Sequence, residues 1–308
     1  MPSSISRLQL LRATALLVLA NLFWAGQGIA VKMLNGEMTP IAIALLPLYL
    51  ITLLLIPILL RYRDRSTLRA AWRHRNQFII AGVGGQLVAQ VGMTLGISRS
   101  LAANGAILNL LVPILGALIA CLLFRERLTP WHIGALLLGF TGVILLSPMH
   151  WSSHSGPGLV RGLTGNLFIT FGCLGSAFYN VYSKRLLNNF SEIDVLFFSY
   201  LTATIFSIPL LFSLDPHCLS CFHIFNSHQW AAFSFLAIFI YGISMLFFFY
   251  ALRYVNVIVA STSLYLVPIF GVLLAVAMLG ERISSQALFG FGIVLLGMLA
   301  ILRNGYAT

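Results

Sequence analysis

Residues 111–127 read LVPILGALIACLLFRER, and residues 266–282 read LVPIFGVLLAVAMLGER. At this offset of 155, nine of the seventeen positions are identical, among them Pro113 on Pro268, Gly116 on Gly271 and Glu126-Arg127 on Glu281-Arg282. So dense a match at one offset marks an internal repeat. Further out, Gly142 meets Gly297 at the same offset, and an offset of 152 pairs Lys32 with Lys184 and Pro57 with Pro209. The chain therefore reads as two copies of one unit, 1–150 and 161–308, joined by a linker at 151–160.

The composition says what medium that unit lives in. Of the 308 residues, 59% are hydrophobic and 8% charged, and mean hydropathy is +0.96. A soluble domain carries about 25% charged residues, so this chain lacks the polar surface to face water. The same numbers exclude disorder, which needs low hydrophobicity. The net charge of +11 does not indicate nucleic acid, because the few cations are spread between long apolar runs. Runs of spanning length fall at 11–31, 40–60, 77–97, 102–124 and 131–147, then at 162–183, 192–213, 230–252, 257–279 and 286–302. They lack the period-2 alternation of barrel strands and so are helices. The first run continues through Val31 past the small residues Ala25-Gly26, which favours an uncleaved helix over a signal peptide.

With the N-terminus inside, 14 of the 18 cations fall on the inner side, a strong positive-inside bias. Six are arginines between Arg61 and Arg75, placed to lie against anionic lipid. Five spans per copy is an odd number, so the two copies insert with opposite orientations, a layout found in carriers with a midplane substrate site. The expected fold is an all-α membrane protein of ten transmembrane helices, arranged as two inverted five-helix repeats with both termini cytoplasmic. It is expected to be a multi-pass protein of a bacterial inner membrane. The lipid bilayer and a small-molecule substrate are the expected partners; no cofactor or nucleic acid is implied, and a monomer is compatible with the sequence.

The doubled LVPI-G…ER signature, each copy followed by a glycine-bearing span, resembles the paired EamA-type domains of the drug/metabolite transporter superfamily. Phe23-Trp24-Ala25-Gly26 with Lys32 is similar to the tryptophan-to-lysine pattern common there. The resemblance implies a ten-helix bundle that exports small metabolites, such as an amino acid or a similar amphipathic solute. Two positions depart from the family pattern: Pro47 stands where many members carry arginine in span 2, and Ser176 replaces the second-half tryptophan.

Polar side chains in hydrocarbon need partners or a wet cavity. Spans 5 and 10 hold almost none, whereas spans 1, 3, 6, 8 and 9 carry them on defined faces. The candidate cavity residues are Asn21, Trp24 and Gln27 in span 1, Gln86 and Gln90 in span 3, and Asn109 in span 4. Tyr179 and Asn180 follow in span 6, Tyr241 and Ser244 in span 8, and Ser261 and Tyr265 in span 9. The alternative for each is interhelical glue. Small residues at Ala81, Gly85, Ala89, Gly92 and Gly96 suit close helix contact. Pro113 and Pro268 interrupt spans 4 and 9 and make candidate hinges.

None of the seven acids falls mid-span, so proton coupling through a buried carboxylate is not expected. Lys32 and Arg99 near the outer side either snorkel or attract an anion. In the outer loop, Cys218, Cys221 and His223 have the ligand types of a weak zinc candidate, in competition with a small-loop disulfide or a plain loop. A membrane-embedded enzyme acting on lipid or peptide is the alternative class, yet the spans contain no GxSxG, no HExxH and no internal carboxylate. A non-transporting structural subunit would leave the paired prolines and polar faces without a purpose.

Overall fold

The computed structural model describes residues 7–99, 108, 109, 111–125, 129–131, 133, 134, 137, 138, 140, 141, 157–279, 289, 292, 293 and 296. Among them every regular element is helical. In the first half these are α1 (Arg7–Ala25), α2 (Gln27–Leu34), α3 (Pro40–Tyr62), α4 (Arg65–Arg73), α5 (Arg75–Ile79), the π-helix π1 (Ile80–Leu87), α6 (Val88–Arg99) and α7 (Leu111–Phe124). In the second half come α8 (Pro157–Leu187), α9 (Glu192–Leu214), a 3₁₀ turn (Ser220–His223), α10 (Ser227–Ser234), π2 (Phe235–Ile243), α11 (Ser244–Tyr254), α12 (Val257–Ser263) and α13 (Leu266–Leu279). Among the described residues five helical stretches are long and apolar enough to cross a bilayer: Arg7–Val31, Pro40–Tyr62, Arg75–Gly96, Glu192–Leu214 and Ser227–Tyr254.

Helix starts follow from local chemistry. Thr39 accepts the Ala42 N–H at 3.3 Å, and Pro40 opens α3 at a position where its missing N–H costs nothing. Pro47 and Pro57 then lie inside a helix that runs on unbroken. Pro157 opens α8 five residues ahead of the apolar run, so 157–160 of the expected linker are helical. Gly36, at φ 108°, adopts the left-handed conformation that turns the chain between α2 and α3.

Large apolar residues face outward: Leu53, Leu122, Phe171, Ile205 and Phe206 are all exposed. In the described part of span 5, Trp131, Ile133, Leu137 and Leu138 are exposed as well, while Phe140 is half-buried against the core. The polar residues Asn21, Thr52, Gln86, Ser199, Ser244 and Thr262 are buried. That distribution is inverted from a soluble protein's and suits a lipid exterior.

The packing exchanges the two halves. In the second half α8 lies along α6 and α7 of the first; in the first half α1 lies along α11 and α13 of the second. Likewise α9 packs on π1 while α3 packs on π2. Between these sets α3 meets α9, where Thr52 and Thr204, counterparts at the 152-residue offset, approach to 3.4 Å. Tyr49 and Ser207 join nearby at 2.8 Å. Small residues permit the closest crossing: a Cβ on Gly92 would come within 2.7 Å of the Gly172 amide, and one on Gly96 within 2.5 Å of Ile169.

One end of α9 gathers charge. A capping box joins Ser191 and Asp194. Arg63, just past α3, sets its Nε 2.7 Å from buried Asp194 and also donates to Ser191 Oγ. Arg253, near the end of α11, pairs with Glu192 and donates to the Phe190 carbonyl at 2.7 Å. These two arginines hold three helix ends together in addition to any role in orientation. Asp194→Ala removes the carboxylate half of the capping box and the pair with Arg63, and should cost about 3 kcal/mol. A thermal melt of the purified protein in detergent checks this, with exposed Asp64→Ala as the near-neutral control.

Candidate functional site

Two of the interior polar groups, Gln86 and Tyr241, lie in interruptions of regular helix. The segment π1 contains Gly82, Gly84 and Gly85, which weaken α-helical order. Offset by 155, it falls on π2, so that Gln86 and Tyr241 are counterparts. A π turn disturbs the i→i+4 ladder, and such turns recur at functional sites. Here α9 donates into π2 and to the end of α5, two residues ahead of π1. Tyr200 donates its hydroxyl to the Tyr241 carbonyl at 3.0 Å, and Thr202 shares its hydroxyl proton between the carbonyls of Phe78 and Ser199 at 2.9 and 2.8 Å. The approach is close enough that a Cβ on Gly82 would lie 2.1 Å from the Ser199 carbonyl oxygen.

Around this brace runs a chain of tyrosines. Tyr179 pairs with Ser199 Oγ at 2.8 Å, and its ring stacks on Tyr200 at 6.3 Å. Tyr200 meets Tyr241 edge-on at 6.5 Å. Tyr241 in turn faces Gln90 Oε1 at 2.7 Å and the Ala44 carbonyl at 3.2 Å, so its hydroxyl links π2 to α6 and α3. Gln86 is buried in π1, and Ser244 is buried and donates to the Ile240 carbonyl.

Span 9 is interrupted between α12 and α13 at Leu264-Tyr265. There Leu264, Tyr265 and Val267 make i→i−3 bonds to Ser261, Thr262 and Leu264 at 3.1–3.2 Å. Pro268 is the third residue of α13, just past this break, while in span 4 residues 108 and 109 ahead of α7 are also helical and residue 110 lies outside the described ones. A proline in a first turn needs no intrahelical partner, so span 9 accommodates Pro268 through a break. Against this break sits Asn21 of α1, fully buried, donating Nδ2 to Leu17 O at 2.7 Å and Ser263 Oγ at 3.1 Å. One turn on, Trp24 meets Phe248 at 5.5 Å between ring centroids.

The candidates thus fall into two neighbourhoods. Gln90, Tyr179 and Tyr241 are joined through Tyr200 and Ser199. Asn21 and Trp24 adjoin α11 and α12. Ser261 and Tyr265 are buried in or beside the span 9 break, and a Cβ on Gly116 would come within 2.6 Å of Ser261 Oγ. Asn180 is buried, Gln27 is half-buried at the start of α2, and Asn109 is exposed. Ser199, Tyr200, Thr202 and Ser263 were not among the sequence candidates; the crowding of hydroxyls in Ser199-Tyr200-Leu201-Thr202-Ala203-Thr204 was the available signal. Arg99 is exposed with its guanidinium 4.8 Å from the Phe168 ring centre. Glu126-Arg127, Glu281-Arg282 and His132 lie outside the described residues, as does most of span 10.

At the end of the bundle near Asp215, a cavity of about 420 Å³ is lined by Glu37, Thr39, Asp215, His217, Cys218 and Cys221, among others. Thr39 donates to Asp215 Oδ2 at 2.6 Å, tying the loop to the start of α3. Among the described residues no group of three or more His, Cys, Asp or Glu side chains is placed to hold a metal ion, the set Cys218, Cys221 and His223 included. The 3₁₀ turn instead aims Cys221 Sγ at the Cys218 carbonyl, 3.0 Å away, and both thiols are free. Burial, reinforced by Asp215, pushes the Cys218 thiol above its ordinary range. In a Cys221→Ser background, alkylation of Cys218 by an impermeant maleimide should be slower at pH 7 than that of glutathione. The rate should rise as pH climbs through the elevated pKa, and Asp215→Asn should move that rise to lower pH.

Comparison with known proteins adds to this geometry. The model of the EamA-like transporter family matches residues 11–147 and again 163–303. A protein of Archaeoglobus fulgidus named "Uncharacterized transporter" is 25% identical over 288 residues, 94% of this chain and 98% of its own. The "Probable terminal-alkyne amino-acid exporter" of Streptantibioticus cattleyicolor is 23% identical over 298 residues, 96% and 95% of the two chains. A solved crystal structure, 20% identical and covering 96% of this chain and 98% of its own, superimposes with a TM-score of 0.77, a likeness of fold alone.

Proposed function

The chain belongs to the EamA-like transporter family, and on that premise we propose that it exports an amino acid or similar amphipathic solute by alternating access between two inverted halves. It is a transporter rather than an enzyme, and a multi-pass membrane protein with a small-molecule substrate. The further elements of the proposal are ten spans, cytoplasmic termini, a bacterial inner membrane and a monomeric working unit.

The observation that carries the mechanism is the exchange of packing partners about Thr52 and Thr204. If α8 rocks on α6 and α7, its counterpart α1 rocks on α11 and α13, and a site between the halves opens to one side as it closes to the other. The paired π segments and the break before Pro268 are where helices can bend without leaving carbonyls stranded in hydrocarbon. Pro268 is assigned as a hinge on the same ground, and Pro113 as its counterpart at the 155-residue offset. The tyrosine chain and the Trp24–Phe248 pair supply aromatic surface for the apolar part of a solute. The amino-acid assignment takes support from the printed name of the Streptantibioticus relative. Among the described residues the buried carboxylate is Asp194, held by Arg63 at a helix start, so energy coupling is assigned to the solute gradient or to exchange.

Inside-out vesicles should show saturable uptake of at least one amino acid from a labelled panel. Gln90→Ala and Tyr241→Phe should each slow it about tenfold, and the double variant should be little worse than either, because both remove one contact. Pro268→Ala should slow turnover with expression near normal. Absence of saturable uptake by folded wild type overturns the carrier assignment, and an unchanged rate in Pro268→Ala overturns the hinge.

A further inference from the structure

The side-chain amide of Asn21 has an orientation that chemistry dictates. The Leu17 carbonyl can only accept, so the group facing it at 2.7 Å is Nδ2. Ser263 Oγ donates its proton to the Ala260 carbonyl at 2.7 Å, so it too receives from Nδ2, at 3.1 Å. Both amide protons are therefore engaged, and Oδ1 is left pointing away from them without a partner, although the residue is 0% exposed. Buried acceptors are normally satisfied, and an exception calls for a reason. Its place is specific: Ser263 is the last residue of α12, so the Asn21 amide lies beside the break that precedes α13.

We infer that Asn21 Oδ1 is the acceptor for an N–H donor on the transported solute, a primary ammonium group carried on an apolar body. This assignment rests on the carrier function proposed above and narrows its substrate class. An anion finds no donor here, because both Nδ2 protons are spent within the protein. An ammonium supplies the missing donor, and Trp24, three residues further along the same helix face, brings an indole ring backed by Phe248. A π face next to an acceptor favours a cation over a neutral hydroxyl. Full burial means that the solute reaches Oδ1 only when α1 separates from α12 and α13, so recognition of the amine is linked to the motion that opens the site.

The experiment uses the full chain in inside-out proteoliposomes with two labelled probe sets: the proteinogenic L-amino acids and the matching carboxylic acids that lack the amino group. Wild type should take up at least one amino acid saturably and should ignore its deaminated analogue. Asn21→Ala should raise KM for that amino acid by about tenfold or more, whereas Asn21→Gln, which keeps both the carbonyl and the NH2, should recover at least part of the loss. Ser263→Ala removes a partner of Nδ2 but leaves Oδ1 in place, and should keep KM within about twofold, separating recognition from packing. Gel filtration reports folding; should Asn21→Ala aggregate, the comparison of the amino and deaminated probes on wild type and Asn21→Gln decides. Equal uptake of amino and deaminated solutes, or an unchanged KM in Asn21→Ala, overturns the assignment while leaving the carrier intact. Wild type inert toward every probe overturns the carrier function, and this assignment with it.

Discussion

A backbone carbonyl that leaves its helical ladder inside a bilayer has no water to turn to, and the interior of this protein is organised by that constraint. Two symmetry-related helices contain π turns, and a single helix, α9, supplies a hydroxyl within one and just ahead of the other: Tyr200 to the Tyr241 carbonyl in π2 and Thr202 to that of Phe78, two residues before π1. Irregular helix is thereby made tolerable at places where the two halves meet. The tyrosine chain, the Gln90 contact and the close seat of Gly82 all follow from bringing α9 near enough to donate.

The same helix is fixed at its end by charge. Arg63 and Arg253 come from the ends of α3 and α11, elements of opposite halves, and converge on the first turn of α9. In sequence they count as two among the 14 cations that set orientation. In the fold they also tie the helix that braces the π segments to both halves. A pairing partner 131 or 61 residues away (Arg63 to Asp194, Glu192 to Arg253) leaves no local trace in composition.

The larger features were legible because they depend on long averages. Apolar runs located the described helices to within a few residues, and LVPI at two positions announced the duplication. Finer features escaped for physical reasons. An α turn and a π turn use the same residues, and only the Gly82-Val83-Gly84-Gly85 run hinted at π1. Pro268 signals disruption but not its form, since a proline reads alike in a kink and in a first turn. Asn109 was grouped with interior amides by type, and a short apolar stretch does not reveal which face of a helix is covered; it is exposed. Ser263 gained meaning only when Asn21 was seen to reach it from 242 residues away.

The central claim is that equivalent parts of the two copies face opposite sides of the membrane. Ser66 follows α3, and Ser220 occupies the corresponding loop after α9. In a Cys218→Ser, Cys221→Ser background, Ser66→Cys and Ser220→Cys can each be challenged in intact cells and in inverted vesicles with an impermeant thiol reagent. Labelling of Ser66→Cys only from the cytoplasmic side and of Ser220→Cys only from the outer side is the result the inverted arrangement predicts. Labelling of both from the same side would contradict it.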